Sequence, residues 1–462
     1  MPLRRPLSAL DRTFLAGETR ASMMHVGVLA PFSWPAEPPR DFLRSLVEEL
    51  KRATKAYPPW TLKLRHPELL ASPLQAWVED DDLDVEYHVR RSALPSPGDE
   101  RELGILVSRL HSNKIDFHRP PWEVHFIEGL EGGRFAIYFK VHHALVDGFT
   151  GMRLLTRSLS SEPDDLDTPL FFARPPHEKR KAEEPAEPTL DHLITLLREQ
   201  LGASRDVGRA TMNLVRSARS KDHPLVTPLQ APRSVLNRKI SRNRRFATQR
   251  FDAERLRRVA RAHEGTLNDA VLALTAAALR RFLLEQDALP GEPLTTMVPV
   301  NIRSNGDTTG GGNEVGAILA SLATDVADPR ERLRAIVAST RRAKEQLQGM
   351  SKSALMQYAA LLLAPMLLSL IPGAVGRVRP AFNVVVSNVP GPTKPLYFRG
   401  ARLEAIYPLS IPFHGYGLNV TVSGYDGELD FGFTGCRDTV PHLQRLAVYA
   451  GDALTELEAA ML

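Results

Sequence analysis

Cysteine is almost missing from this sequence of 462 residues: Cys436 stands alone, which excludes an internal disulfide framework and any cysteine-based metal cluster. Such usage suits a reducing cytoplasm. No apolar run follows Met1-Pro2-Leu3-Arg4-Arg5-Pro6, so no secretion signal is expected. There is no Gly-x-Ser-x-Gly elbow to support a nucleophilic serine. Gly310-Gly311-Gly312 fits neither a dinucleotide-binding nor a P-loop spacing and reads as a flexible turn. A net charge of only +5, with no zinc finger and no aromatic RNA-binding strand, gives no reason to expect a nucleic-acid partner. Charge itself is absent between Ser353 and Gly376. That length would permit a membrane span, but Pro365 and Pro372 interrupt it and Gln357 and Tyr358 sit near its start. A buried or interfacial helix broken at the prolines fits better, a surface suited to resting on a bilayer or lining a site for greasy substrates.

What is present is ordinary for a globular protein, 43% hydrophobic and 24% charged. The length exceeds one compact core and implies two domains. Residues 1–160 alternate strand-like and helix-like segments, with amphipathic helices over Phe42–Ala53 and Leu103–Asn113, a β-rich run over Arg134–Val141 and a helix over Gly151–Ser158. Residues 161–240 form a proline- and charge-rich linker to Thr189 and then a helix-prone crossover, Leu190–Ser217. From 241 to 462 the α/β alternation resumes. Asp252 is an expected N-cap, Thr266-x-x-Asp269 an expected capping box ahead of Val271–Leu284, and Thr295–Val300, Phe382–Ser387 and Leu418–Val422 expected strands. The basic cluster Arg238, Lys239, Arg242, Arg244, Arg245 reads by default as a solvated face, with anionic phosphates as the other partner its charge would suit.

The chemistry concentrates in His142-His143-Ala144-Leu145-Val146-Asp147-Gly148, on a strand–loop–helix junction. Period-two alternation puts Phe139, Val141 and His143 on one face and Tyr138, Lys140 and His142 on the other, if the strand persists that far. One histidine can then enter a pocket while the other packs within the domain. Asp147 can hold an imidazole tautomer or brace the loop through an arginine, and Gly148 gives the chain room to reverse. A lone base that takes a proton from a bound hydroxyl suits direct transfer between two substrates. Spacing alone leaves two other readings open, a polar loop with satisfied histidines and a metal site. Opposed strand faces argue against the latter.

The pattern His-His-x-x-x-Asp-Gly resembles that of the CoA-dependent acyltransferase superfamily. The whole chain looks like the bacterial wax ester synthase/acyl-CoA:diacylglycerol acyltransferase family. Pro6-Leu7-Ser8-Ala9-Leu10-Asp11-Arg12-Thr13-Phe14-Leu15, Pro120-Pro121-Trp122 (proline where leucine is usual), Asn268-Asp269-Ala270-Val271-Leu272-Ala273, Val298-Pro299-Val300-Asn301-Ile302-Arg303, Gly312-Asn313 and Ser387-Asn388-Val389-Pro390-Gly391-Pro392 carry the likeness in order. The resemblance implies an α/β fold of two chloramphenicol-acetyltransferase-like domains, each a mixed β-sheet flanked by helices, with a tunnel between them. It implies His143 as general base, Asp147 as structural support and His142 in a supporting position. Gly148, Asn268, Ser387 and Asn388 are candidate substrate-binding residues, although Asn268 and Asp269 also suit a helix N-terminus and Ser387 and Asn388 a strand end. No metal and no permanently bound cofactor are implied. Acyl-CoA is the expected co-substrate, diacylglycerol or a long-chain alcohol the acceptor, and a cytoplasmic membrane or lipid-inclusion surface a peripheral partner. The rival reading is a non-catalytic lipid- or acyl-CoA-binding protein on the same fold.

Overall fold

The structure, a computed structural model, describes residues 5–35, 38–39, 41–52, 55–72, 74–175, 230–301, 315–348 and 379–461, with Tyr358, Leu362 and Val375. The charged linker beyond 175, the crossover 190–217, Ile302 to Asn313 and most of 353–376 lie outside those residues.

The first large sheet grows from alternating apolar and polar residues in three antiparallel strands, His25–Ser33, Arg134–His142 and Trp122–Leu130, with Val89–Ala93 joined in parallel at one edge. Its other edge is completed from far down the chain. Tyr397–Phe398, Ala401–Leu403 and Tyr407–Leu409 all belong to this sheet, the last two pairing directly with His25–Ser33. Nothing in the sequence signalled this insertion, since two- and three-residue strands carry too few positions to show a period.

One face of the first sheet is apolar: Val124, Phe126, Phe135, Phe139 and Val141 pack with Trp60, Phe171 and the leucines of the helix Phe42–Lys51. The other face is polar and buried. Lys140 Nζ lies 3.3 Å from Glu123 Oε1 and donates to the carbonyls of Leu110 (3.2 Å) and Asn113 (3.1 Å). His111, from the helix Glu100–His111, pairs through Nδ1 with the Tyr138 hydroxyl at 2.8 Å, and its carbonyl lies 2.9 Å from His25 Nε2. Burial is the main cause that holds these imidazoles neutral. It pushes His111 down to about 3, nearby His88 to about 4, and His25 well below its ordinary value.

The second sheet runs in the order Val315–Ser321, Thr295–Asn301, Val384–Val389, Leu418–Tyr425, Glu428–Cys436, Arg244–Asp252, with Val384–Val389 parallel to both neighbours. Leu418, Val420, Val422, Phe431 and Phe433 share a core with the helices Ala253–Arg261, Leu267–Leu284, Pro329–Gln348 and Gln444–Met461. Asp252 caps the first of these helices through Arg255 N–H (2.8 Å). Asp269 receives both Thr266 N–H and Thr266 Oγ1–H at 2.7 Å, as the capping spacing implied. The opposite face, with Thr421, Ser423, Asp430 and Thr434, meets the first sheet: Ile406 N–H donates to Asp430 Oδ2 (2.7 Å) and Ser410 N–H to Thr434 Oγ1 (3.2 Å). Gly432 sits at the closest approach, where a Cβ would fall 1.8 Å from the Pro408 carbonyl oxygen. The expected strands are found, with Val384–Val389 displaced two residues past the predicted start at Phe382. A small third sheet joins Arg5–Pro6, Ala76–Glu79 and Leu62–Leu64.

One residue of the basic cluster departs from the expectation of a solvated face. Arg244 is buried, donates to the carbonyls of Ser241 and Ala21, and is pushed down to about 10 by burial. A carbonyl-lined slot, not an anion, takes its guanidinium.

Two outcomes follow from this packing. Gly432→Ala should cost about 1–3 kcal/mol or more, because the clash is with backbone and cannot be relieved by a rotamer; thermal unfolding measures it. The unfolded chain's histidines titrate near 6.5 and His88 and His111 titrate near 4 and 3. Between those values the unfolded state therefore binds more protons, so stability is full above that range and falls as the pH is lowered through it. Urea midpoints at neutral and mildly acidic pH should show the decline, and equal midpoints would contradict it.

Candidate active site

The strand Arg134–His142 ends at His142, whose carbonyl accepts N–H groups from Leu145 (2.9 Å) and Val146 (3.4 Å) in a tight turn. His143 therefore leaves the strand as the first residue of the turn. Its N–H still donates to the Met24 carbonyl (2.9 Å), beside the pairing of His25 with His142. The backbone of His143 is thus tied to the start of the neighbouring strand, and the two histidine side chains part company there.

The His143 imidazole stacks on Phe14, with ring centroids 4.1 Å apart and planes inclined by 27°. Phe14 belongs to the helix Ala9–Gly17, opened by a capping box in which Asp11 N–H donates to Ser8 Oγ (3.1 Å) and Ser8 N–H to Asp11 Oδ2 (2.9 Å). The Leu7-Ser8-Ala9-Leu10-Asp11 stretch is in this way a device for starting the helix that carries Phe14. Burial lowers His143 to about 4. The Asp147 carboxylate works in the opposite direction, and His142 reinforces the lowering. Nδ1 is sealed and has no hydrogen-bond partner, while the side chain as a whole is only partly buried. The exposure that the residue keeps is therefore not at Nδ1. The residue's own carbonyl favours a proton on the ring. This environment suits a neutral imidazole whose Nε2 lone pair is free.

His142 is buried and faces the other way. Its Nδ1 accepts Ala144 N–H (3.2 Å), which leaves the proton on Nε2, 3.6 Å from Glu18 Oε2, and Phe117 meets the ring edge-on. The Glu18 side chain is 1% exposed; Oε2 also accepts Met24 N–H, and Lys114 Nζ lies 3.9 Å from Oε1. Met24 thus receives Glu18 on its N–H and gives its carbonyl to His143. Phe14, Glu18 and Met24 escaped functional assignment in the sequence. Phe14 at least lay inside a motif, but no local spacing marks Glu18.

Asp147 is the N-cap of the helix Gly148–Thr156. Oδ1 accepts Thr150 N–H (2.9 Å) and Oδ2 accepts Thr150 Oγ1–H (2.8 Å). Among the described residues its hydrogen bonds go to Thr150, not to an arginine or an imidazole. Gly148 has no left-handed backbone angle, and a Cβ there would meet nothing within 4 Å, so the turn does not require glycine. This corrects the expectation that the residue serves chain reversal; the helix cap does that instead. Asn268 is half-buried at the start of the helix Leu267–Leu284, next to Asp269, whose Oδ1 takes Thr340 Oγ1–H (2.6 Å). Ser387 and Asn388 lie inside the parallel strand Val384–Val389, half-buried, opposite Thr421 and Val422. No hydrogen bond joins His143 to Asn268, Ser387 or Asn388 among the described residues. Two hollows of about 410 and 340 Å³ open elsewhere, one beside Arg379 and Glu292 and one beside Asp269 and Lys344, and neither is lined by His143.

Comparison with known proteins bears on this arrangement. The sequence model of the wax ester synthase/diacylglycerol acyltransferase catalytic domain matches residues 7–271, and that of the C-terminal domain of the same family matches residues 311–458. A putative diacylglycerol O-acyltransferase of Mycobacterium tuberculosis is 50% identical, covering 99% of this chain and 97% of its own. The solved wax ester synthase/diacylglycerol acyltransferase of Marinobacter aquaeolei VT8 is 39% identical with a TM-score of 0.79, covering 99% of both chains. The first condensation domain of the CDA synthetase, 18% identical with a TM-score of 0.57 over 99% of this chain and 96% of its own, shares the fold alone.

The double role of Asp147, cap and charge, can be separated. Asp147→Ala should cost about 0.5–2 kcal/mol, whereas Asp147→Asn should stay within a few tenths because asparagine caps as well as aspartate. Chemical denaturation of both variants checks this; equal losses would deny the cap its role.

Proposed function

Because the chain belongs to the wax ester synthase/diacylglycerol acyltransferase family, we propose that it transfers a long-chain acyl group from acyl-CoA to diacylglycerol, a long-chain alcohol or both, with His143 as general base. The observation that carries this is the neutral, partly accessible imidazole of His143 at a strand end, fixed through its backbone to Met24 and through its ring to Phe14.

In this scheme both substrates bind together, and Nε2 of His143 takes the proton of the acceptor hydroxyl. The oxygen attacks the thioester carbonyl, an O–C bond forms, and the C–S bond breaks. The departing thiolate recovers the proton from the imidazolium, so the base is regenerated and an ester and free CoA leave. Acyl-CoA is consumed as a co-substrate, and no permanently bound cofactor enters the scheme. Asp147 favours the transient imidazolium by its charge and sets the direction of the following helix. His142, turned toward Glu18, supports the turn and does not touch substrate. We place Gly148, with open space where a side chain would stand, and Asn268, Ser387 and Asn388 along the substrate path. The two sheets form the walls of a tunnel that CoA and acceptor enter from opposite sides, and positioning in a dry channel contributes as much as the base.

Such acceptors reside in lipid, so the protein works as a peripheral partner of a membrane or lipid inclusion on the cytoplasmic side. No helix among the described residues is long and apolar enough to cross a membrane.

Thiol release from palmitoyl-CoA, measured with and without diacylglycerol or hexadecanol, tests the scheme. Acceptor-dependent release should fall about 10²–10⁴-fold in His143→Ala, the usual contribution of a general base. Since the base must be unprotonated and His143 sits at about 4, kcat/KM should be level from neutral pH downward and decline only as that value is approached. Equal release from wild type and variant would sink the assignment and favour a lipid-binding protein.

A further inference from the structure

The hairpin that joins Leu62–Leu64 to Ala76–Glu79 holds two leucines in water. Leu69 is 65% and Leu74 72% exposed, the highest values among the large hydrophobic residues described. Their loop is not a loose one. Consecutive turns run through Leu69 N–H to the His66 carbonyl (3.1 Å), Ser72 N–H to the Leu69 carbonyl (2.9 Å) and Gln75 N–H to the Ser72 carbonyl (3.1 Å). The buried Gln75 side chain accepts His66 N–H (3.0 Å) and donates to the carbonyls of His66 (2.8 Å) and Leu69 (3.3 Å). The Arg12 guanidinium donates to the carbonyls of Ser72 and Gln75, both at 3.3 Å. Leu70, between the two exposed leucines, turns inward onto the core. The bonds at His66, Leu69, Ser72 and Gln75 hold the described part of this loop with its leucines outward, so part of their ordering cost is already met before any partner arrives.

We propose that this loop is the element that docks the protein on an anionic lipid surface, with Leu69 and Leu74 inserting among the acyl chains. The inference rests on the acyltransferase reading for its choice of partner. Two leucine tips expose on the order of a few hundred Å² at most, well below the ~800 Å² per partner that a stable protein interface needs. Shallow insertion into lipid requires no such area. Charge agrees. Arg5 and Arg65 are exposed at the edge of the adjoining three-stranded sheet and form no ion pair among the described residues, whereas the acid of the loop, Glu68, shares His118 (2.9 Å) with Asp116 (3.1 Å). Basic residues beside apolar tips are drawn to anionic headgroups. The helix Ala9–Gly17 links the loop to the proposed base: its Arg12 grips the loop and its Phe14 stacks on His143.

The test is sedimentation of the full chain with vesicles of phosphatidylcholine and phosphatidylglycerol, alongside acyl transfer to a short water-soluble alcohol without vesicles. Leu69→Asp/Leu74→Asp should weaken vesicle partition about tenfold or more and leave transfer to the soluble alcohol unchanged. Leu69→Ser/Leu74→Ser should do the same more mildly. Arg65→Glu should weaken binding to the mixed vesicles and not to phosphatidylcholine alone. Unchanged sedimentation of the aspartate variant, or a wild type that does not sediment, would overturn the proposal. So would a wild-type dimer broken by the variant while vesicle binding persists, which would give the loop to a contact between copies. Absence of acyl transfer to every alcohol, with vesicle binding still lost in the variant, would instead count against the catalytic reading alone.

Discussion

The contact between Gly432 and the Pro408 carbonyl is the constraint on which the arrangement of the two sheets rests. A strand of the second sheet and a three-residue strand of the first touch with no space for a single methyl group. Because Tyr407–Leu409 pairs with His25–Ser33, the second half of the chain is built into the first instead of leaning on it. Polar residues on the facing surface, Asp430 and Thr434, take the backbone N–H groups of Ile406 and Ser410, which flank that strand. Had this face been apolar, those buried donors would have been left unpaired at a cost comparable to a lost hydrogen bond each.

The candidate base inherits its properties from the same construction. Met24, whose carbonyl holds His143, leads directly into His25–Ser33, the strand that receives the inserted segment. The preceding turn is pinned to the second half as well: Arg244 donates to the Ala21 carbonyl, and His414 N–H to Ser22 Oγ. Burial then sets the electrostatics. An imidazole held near 4 is wholly neutral at physiological pH, a weaker base than a free histidine but one that never has to shed a proton before it acts. Asp147 supplies the opposing charge from a helix cap, so one carboxylate shapes the backbone and tempers the desolvation at once.

The shared fold of the CDA synthetase condensation domain, at 18% identity, shows that this architecture does not by itself dictate chemistry. The chemistry of this chain rests on its own side chains, among them His143, the Phe14 stacked on it and the Asp147 cap.

Local physics was legible in the sequence. Alternation marked Arg134–Val141, capping residues marked Asp252 and the Thr266–Asp269 pair, and the residues of the histidine motif with its ordered companions carried the family. Each signal is confined to a few neighbouring residues and survives without knowledge of the fold. Tertiary structure decided what no local period can encode. It placed Phe14 on His143 and turned His142 toward Glu18. It buried Arg244 in a slot of carbonyls and drew residues 397–409 into the first sheet. These are contacts between segments distant along the chain, chosen by shape and by the pairing of most buried polar groups, so they exist only once the chain has closed on itself.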